Sequence, residues 1–338
     1  MAQKRLGKQT VVLVNPPSII STATIVGPKE GEGPLKGYFD LVLEDDLWGE
    51  DSWEKSEAKL QQEAVKLALF KSKMVPSQVD YLFGGDLLNQ IISSAYAARS
   101  LKIPFFGLYG ACSTKSESLS LGAMSIDGGF ADTVVCVTSS HFSTAERQYR
   151  FPLEHGNQRP PTAQWTVTGS GASVLSSKGN GPYITHITTG RIIDPGIVNA
   201  NNMGSAMAPA AADTIIQHFK DTGFKPENYD LIITGDLASL GKDIAEELIV
   251  KEGYDISKIF MDCGIEIFDA ERQDTHAGGS GCGCSAVVFA GYLYEMLKSK
   301  KYNKIMLVST GALHSPTIMQ QGESIPGIAH AVTISNER

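Results

Sequence analysis

Pro76-Ser-Gln-Val-Asp80-Tyr-Leu-Phe-Gly-Gly85-Asp86-Leu87 returns 150 residues later as Pro226-Glu-Asn-Tyr-Asp230-Leu-Ile-Ile-Thr-Gly235-Asp236-Leu237, with identity at five of twelve positions. Each copy reads as a polar turn, a short apolar run of strand length and a Gly-Asp-Leu ending. Two more echoes follow in the same order. Ser113–Ile126 feeding Thr133–Thr138 is matched by Ser285–Ser299 feeding Ile305–Ser309, and Gly169-Ser-Gly-Ala-Ser-Val174 is matched by Gly327-Ile-Ala-His-Ala-Val332. Three echoes in one order are the mark of a duplicated unit. They predict two similar halves, 1–195 and 196–338.

The rest of the chain fits that frame. Val11–Val14, Tyr81–Gly84, Pro104–Leu108, Thr133–Thr138, Ala172–Ser176, Tyr183–Thr189, Leu231–Thr234 and Ile305–Ser309 are apolar runs of strand length. Helical patterns at Ser52–Lys73, Leu88–Arg99, Ser113–Ile126, Ala206–Thr222, Lys242–Glu252 and Ser285–Ser299 fall between several of them. This alternation predicts an α/β layered fold with buried, mixed sheets. The first half carries an excess segment, His141–Trp165, rich in Arg, His and aromatic residues. A loop that long inside a compact domain is usually functional or disordered, and its aromatics favour function. The acidic stretch Glu44–Glu54 reads as a solvated loop leading into a helix capped by Ser52.

Composition narrows the function classes. The chain has 338 residues, 42% hydrophobic and 20% charged, enough for a sizeable core. A formal charge of −8 with no basic block argues against a nucleic-acid surface. No apolar run reaches the ~18 residues of a membrane span, and Val11–Val14 before Asn15-Pro16-Pro17 is too short for a signal-peptide core. Five cysteines in apolar or Gly-rich runs suit reduced thiols in an intracellular compartment. Cys263, His276, Cys282 and Cys284 match no standard zinc spacing. Neither Gly278–Gly283 nor Gly241-Lys242-Asp243 fits a nucleotide-binding loop. No metal and no cofactor is expected.

The sharpest chemical candidate is Cys112, in Pro104-Phe-Phe-Gly-Leu-Tyr-Gly-Ala-Cys112-Ser-Thr114. An apolar strand runs into Gly-Ala and a helix starts just after the cysteine, which places the thiol at a tight strand-to-helix turn. Free N–H groups at a helix start favour a thiolate and lower its pKa. The alternative reading is a small apolar cysteine buried at a tight turn. Asp236 is open in the same way, because its copy Asp86 occupies the same internal position and a shared turn-forming role competes with a site. His314 either faces a pocket or caps a strand end.

The duplicated halves, the Gly-Ala-Cys-Ser elbow, the Gly169-Ser-Gly-Ala172 strand start and the His276-Ala-Gly-Gly279 loop together resemble the thiolase and ketoacyl-synthase superfamily. The resemblance implies a layered αβαβα fold, Cys112 as the residue that would carry an acyl thioester, and His276 as its helper. Three positions depart from that pattern. Ala277 stands where the histidine loop has proline, Gly235-Asp236 where condensing enzymes place His or Asn, and Ser309-Thr-Gly-Ala-Leu-His314 where thiolases carry a second cysteine. At finer grain the whole chain resembles the stage V sporulation protein AD family of spore-forming bacteria, most specifically over Gly110–Ser118, Ser139–Gly156, Asn202–Asp213 and Asp274–Ser285.

That second resemblance implies binding of dipicolinic acid or its calcium salt. It also implies support for uptake into the developing spore, alongside other proteins of the stage V sporulation A operon and peripheral to the inner spore membrane. A flat pyridine with two carboxylates calls for cationic forks, a stacking surface and N–H donors. His141, Phe142, Arg147, Arg150, Asp236, Gly311 and His314 are the candidates to supply or frame them. The superfamily further implies a homodimer, with Thr133–Thr138 compatible with a buried sheet edge. Two other readings stand beside ligand binding: an active acyl-thioester enzyme built on Cys112, and a scaffold with a vestigial pocket.

Overall fold

The computed structural model describes residues 4–149 and 159–338. Ten strands form the frame: β1 (Ser18–Val26), β2 (Tyr81–Gly85), β3 (Phe105–Gly107), β4 (Thr133–Ser140), β5 (Gly169–Ser176), β6 (Tyr183–Thr188), β7 (Leu231–Thr234), β8 (Phe260–Asp262), β9 (Lys304–Ala312) and β10 (Gly327–Ser335). The first five run in the spatial order β3-β2-β4-β5-β1 and the second five in the order β8-β7-β9-β10-β6. The sense of pairing repeats as well. β2 is parallel to β3 and β4, as β7 is to β8 and β9, while β4–β5 and β9–β10 are antiparallel. The two sets join where Ser18 pairs with Tyr183.

Every residue of β4, β5 and β7 is buried, as strands covered on both faces require. Helices α1 (Trp53–Lys71) and α2 (Ile92–Leu101) cover one outer face, and α5 (Met203–Thr222) and α6 (Ala238–Lys251) cover the other. Between the two five-strand sets lie α3 (Thr114–Asp127), touching strands of both halves, and α7, which starts at Cys282 and continues through a π-turn to Lys298. The result is a five-layered mixed α/β fold. Ser52 caps α1, its hydroxyl accepting from Lys55 N.

Several expectations need correction. β1 sits in the middle of the sheet, yet its Ser18, Ser21, Thr22 and Thr24 hid it from a search for apolar runs. Those hydroxyls are buried and bonded: Ser21 donates to Ala68 O and Thr22 to Ala290 O. The excess segment begins as a helix, α4 (Phe142–Tyr149), rather than a loop, and later contributes a short strand at Trp165-Thr166 paired with Gly279-Ser280. β4 is an interior strand between β2 and β5, and the sheet edge is β3. Arg150 lies outside the described residues. Among the described residues no helix is long and apolar enough to cross a membrane.

Candidate functional site

The elbow is built by its own hydroxyls. After β3 the chain turns at Ala111, whose φ of 48° is left-handed and costs about 1–2 kcal/mol for a residue with a Cβ. Ser113 Oγ and N both bond Gly110 O, and Thr114 Oγ1 donates to Ala111 O while accepting from Gly110 N. Opposite lies Gly311, at the end of β9. A Cβ there would sit 2.3 Å from Gly110 O and 3.2 Å from Cys112 N, so Gly311 is the residue that lets the second half close on the elbow.

Cys112 sits in that turn and opens into a small cavity of about 70 Å³. Leu87, Ala111, Ala145, Glu146 and Tyr149 line it from the first half. Ala200, Met203, Ser280, Ala312 and His314 line it from the second, with Thr166 on the ribbon that crosses between them. On the cavity wall the Tyr149 and His314 rings lie 5.1 Å apart, and Tyr149 Oη donates to Leu87 O.

The thiol's polar partner is Asp236. The Asp236 carboxyl lies close enough for its charge to oppose thiolate formation at Cys112, Thr310 Oγ1 donates to Oδ1, and Gly281 N approaches Oδ2 at 3.3 Å. Burial pushes the Asp236 carboxyl up to about 7, and burial together with the Asp236 charge pushes the Cys112 thiol well above its ordinary value. The helix start was expected to favour a thiolate. Desolvation and a neighbouring carboxyl outweigh it. Asp236 is itself held in place from β8. Asp262 accepts from Leu237 N and Ala238 N at 2.8 and 2.9 Å, from Gly264 N and from Thr234 Oγ1, which fixes the loop that presents Asp236.

The sequence candidates therefore divide. Cys112, Asp236, Gly311 and His314 come together. His276 does not: it is exposed, with Nε2 3.5 Å from the Asp274 carboxylate. His141 is buried away from the cavity, where Nε2–H donates to Asp46 O at 2.8 Å, Nδ1 accepts from Ser143 N, and burial lowers its pKa. Phe142 stacks on Trp165 with centroids 3.8 Å apart. Arg147 pairs with Glu54 over the Trp53 ring. His141 and Arg147 tie α4 to the acidic stretch and Phe142 ties it to the Trp165 ribbon, and none of the three lines the cavity. Sequence reasoning missed Thr310 and Gly281. The echo of Ser113–Ile126 in Ser285–Ser299 sets Gly110-Ala-Cys112 against Cys282-Gly-Cys284, and Gly281 stands just before that second segment.

Residues 7–335 match the stage V sporulation protein AD family, and the chain is 47% identical over 329 residues to Stage V sporulation protein AD of Bacillus subtilis (strain 168), covering 97% of each. The chain belongs to the stage V sporulation protein AD family. The fold of this family member is shared with condensing enzymes and thiolases. Solved structures similar to it include 3-oxoacyl-[acyl-carrier-protein] synthase III from Aquifex aeolicus VF5 (16% identity, TM-score 0.58, 94% of this chain and 99% of that one). Cerulenin-bound OleA of Xanthomonas (13%, 0.62, 95% and 98%) and human mitochondrial 3-ketoacyl-CoA thiolase in complex with CoA (14%, 0.58, 96% and 99%) are others. At these identities the likeness concerns the thiolase-like fold alone.

Proposed function

We propose that this chain holds dipicolinic acid, preferentially as its calcium chelate, in the Cys112 cavity and supports its uptake into the developing spore. One observation carries the reading: a buried carboxyl, Asp236, neighbours the elbow thiol and opposes its ionisation. A thiol held neutral by burial and a neighbouring carboxyl is a poor nucleophile, while the cavity beside it remains. Family membership supplies the sporulation context.

The lining favours the chelate over the free acid. Among the described residues the cavity wall carries Glu146 and no lysine or arginine, which suits a neutral complex better than a dianion. Tyr149 and His314 offer ring faces to a pyridine from the cavity wall. Calorimetric titration with dipicolinate, with and without calcium, tests this: binding that calcium strengthens is expected, and no heat from folded protein under either condition overturns it.

Membrane association would be peripheral, through other proteins of the same operon, and the chain would work as a homodimer; sedimentation of the full chain tests the latter. The acyl-thioester reading has one observation in its favour, the opening of Cys112 into the cavity. Incubation with acyl-CoA followed by intact mass measurement decides it, since an adduct lost in Cys112→Ser would support catalysis.

A further inference from the structure

Beneath the cavity wall lies a second pair of carboxyl groups that the site does not use. Glu57 of α1 and Asp86, at the end of β2, are both fully buried. They share one hydrogen-bond cluster: Gln61 Nε2 donates to Ser94 Oγ and Ser139 Oγ, both at 2.8 Å, Ser94 Oγ reaches Asp86, and Ser139 Oγ reaches Glu57. Asp86 receives Leu88 N on one oxygen, and Ser94 N and Oγ on the other, at 2.6–2.8 Å. Two backbone amides and a hydroxyl are the environment of an ionised carboxylate.

Glu57 is different, since only hydroxyls approach it: Ser139 at 3.0 Å and Thr144 at 2.8 Å. Thr144 Oγ1 also lies 3.0 Å from His141 O, and its single hydrogen cannot serve both contacts. Both become hydrogen bonds if Glu57 is protonated, with Glu57 O–H donating to Thr144 Oγ1 and Thr144 O–H donating to His141 O.

We infer that Glu57 carries a proton at neutral pH and acts through Thr144 as a positioning residue for α4, the helix that supplies Ala145, Glu146 and Tyr149 to the cavity. The same wall is tied at its far end to the Asp86 loop, where Gln148 Nε2 and Tyr149 Oη both bond Leu87 O and Asn89 N bonds Gln148 Oε1. Loss of the proton would put a second negative charge beside Asp86 in a dry interior and loosen α4 from α1. Burial and the Asp86 charge hold the Glu57 carboxyl up at about 8, in keeping with the hydrogen-bond count. The other ionisable groups around Glu57 do not neutralise it. Glu54 on α1 and Cys282 at the start of α7 add no positive charge, His141 is neutral, and Arg147 is paired with Glu54.

The regulatory half of this inference rests on the ligand reading above; the proton does not. Glu57→Gln keeps the shape, with the amide donating to Thr144. Melting of the full chain at pH 5.5 and pH 9 should show the variant equal to wild type at the lower pH and higher by at least about 2 °C at the upper. A protonated-carboxyl band in the infrared spectrum of wild type at pH 7, missing in Glu57→Gln, is the second readout and needs no stability comparison. Calcium dipicolinate affinity should fall about tenfold from pH 7 to pH 9 in wild type and stay flat in the variant. A variant less stable than wild type at both pH values, with no such band, overturns the inference. So does binding that shows the same pH trend in both proteins. If no dipicolinate binds at any pH while the melting and infrared results hold, the function proposal fails and the buried proton stands.

Discussion

The two copies of Gly-Asp-Leu occupy equivalent places in the two halves and do opposite things. In the first half Asp86 turns back on its own loop and clamps the amides of Leu88 and Ser94. In the second half that clamp is made by another residue, Asp262 of β8, on the amides of Leu237, Ala238 and Gly264. Asp236 is thereby released from loop building and meets Thr310, Gly281 and the Cys112 thiol. A duplicated fold can free one copy of a structural residue for a site once a neighbouring strand takes over its structural task. Sequence alone left Asp236 between turn and site, and the difference lies in Asp262, which no echo flags.

The comparison is broken most severely by removing the clamps. Asp262→Ala leaves buried amides of three residues and a hydroxyl without their acceptor, and Asp86→Ala leaves two amides and a hydroxyl. Each should cost about 3 kcal/mol or more in urea unfolding, whereas Asp236→Asn should cost about 1 kcal/mol or less. Equal losses at all three positions would mean that Asp236 is structural after all. Next in size is Gly311→Ala. Its Cβ would press on Gly110 O, so a loss of about 1–3 kcal/mol is expected, together with an altered alkylation rate at Cys112.

A smaller effect tests how the ionisable groups divide between the halves. Glu30, Glu57 and Asp236 have folded pKa values of about 7, 8 and 7, above the unfolded range. The folded chain therefore holds protons that the unfolded chain has released, and stability falls as pH rises from about 4.5 towards 8. His186, His218 and His330 are depressed by burial to about 4, 3 and 4, so stability also falls as pH drops from 6.5 towards 3. The opposing slopes cancel between roughly pH 4.5 and 6.5. Melting temperatures should show a plateau there and a decline on either side, and a steady rise through pH 8 would contradict the assignment.

Much of the frame was legible because buried strands must be apolar and repeats must echo. The strands β2, β4, β7 and β9 and the helices α1, α3 and α5 fall where the pattern puts them. β1 was hidden because its hydroxyls find carbonyl partners on helices distant in sequence. α4 was read as loop because an eight-residue helix rich in polar side chains takes its stability from Glu57, Leu87 and the acidic loop, none of them local. Cys112 could be named from sequence as a site residue, while His314 stood evenly between pocket and strand cap until the fold placed it on the cavity wall. His276 could not be excluded, since only the fold shows its loop turning the ring towards Asp274 and solvent.

The central claim is that Cys112 is a thiol kept neutral by burial and the Asp236 carboxyl, beside a cavity that binds and does not condense. The direct test is the pH dependence of Cys112 alkylation by iodoacetamide, read by intact mass against Cys112→Ser. The account predicts a midpoint above about 9, the ordinary thiol value, moving lower in Asp236→Asn. A midpoint below about 7, unchanged by that substitution, would reveal an activated nucleophile and contradict it.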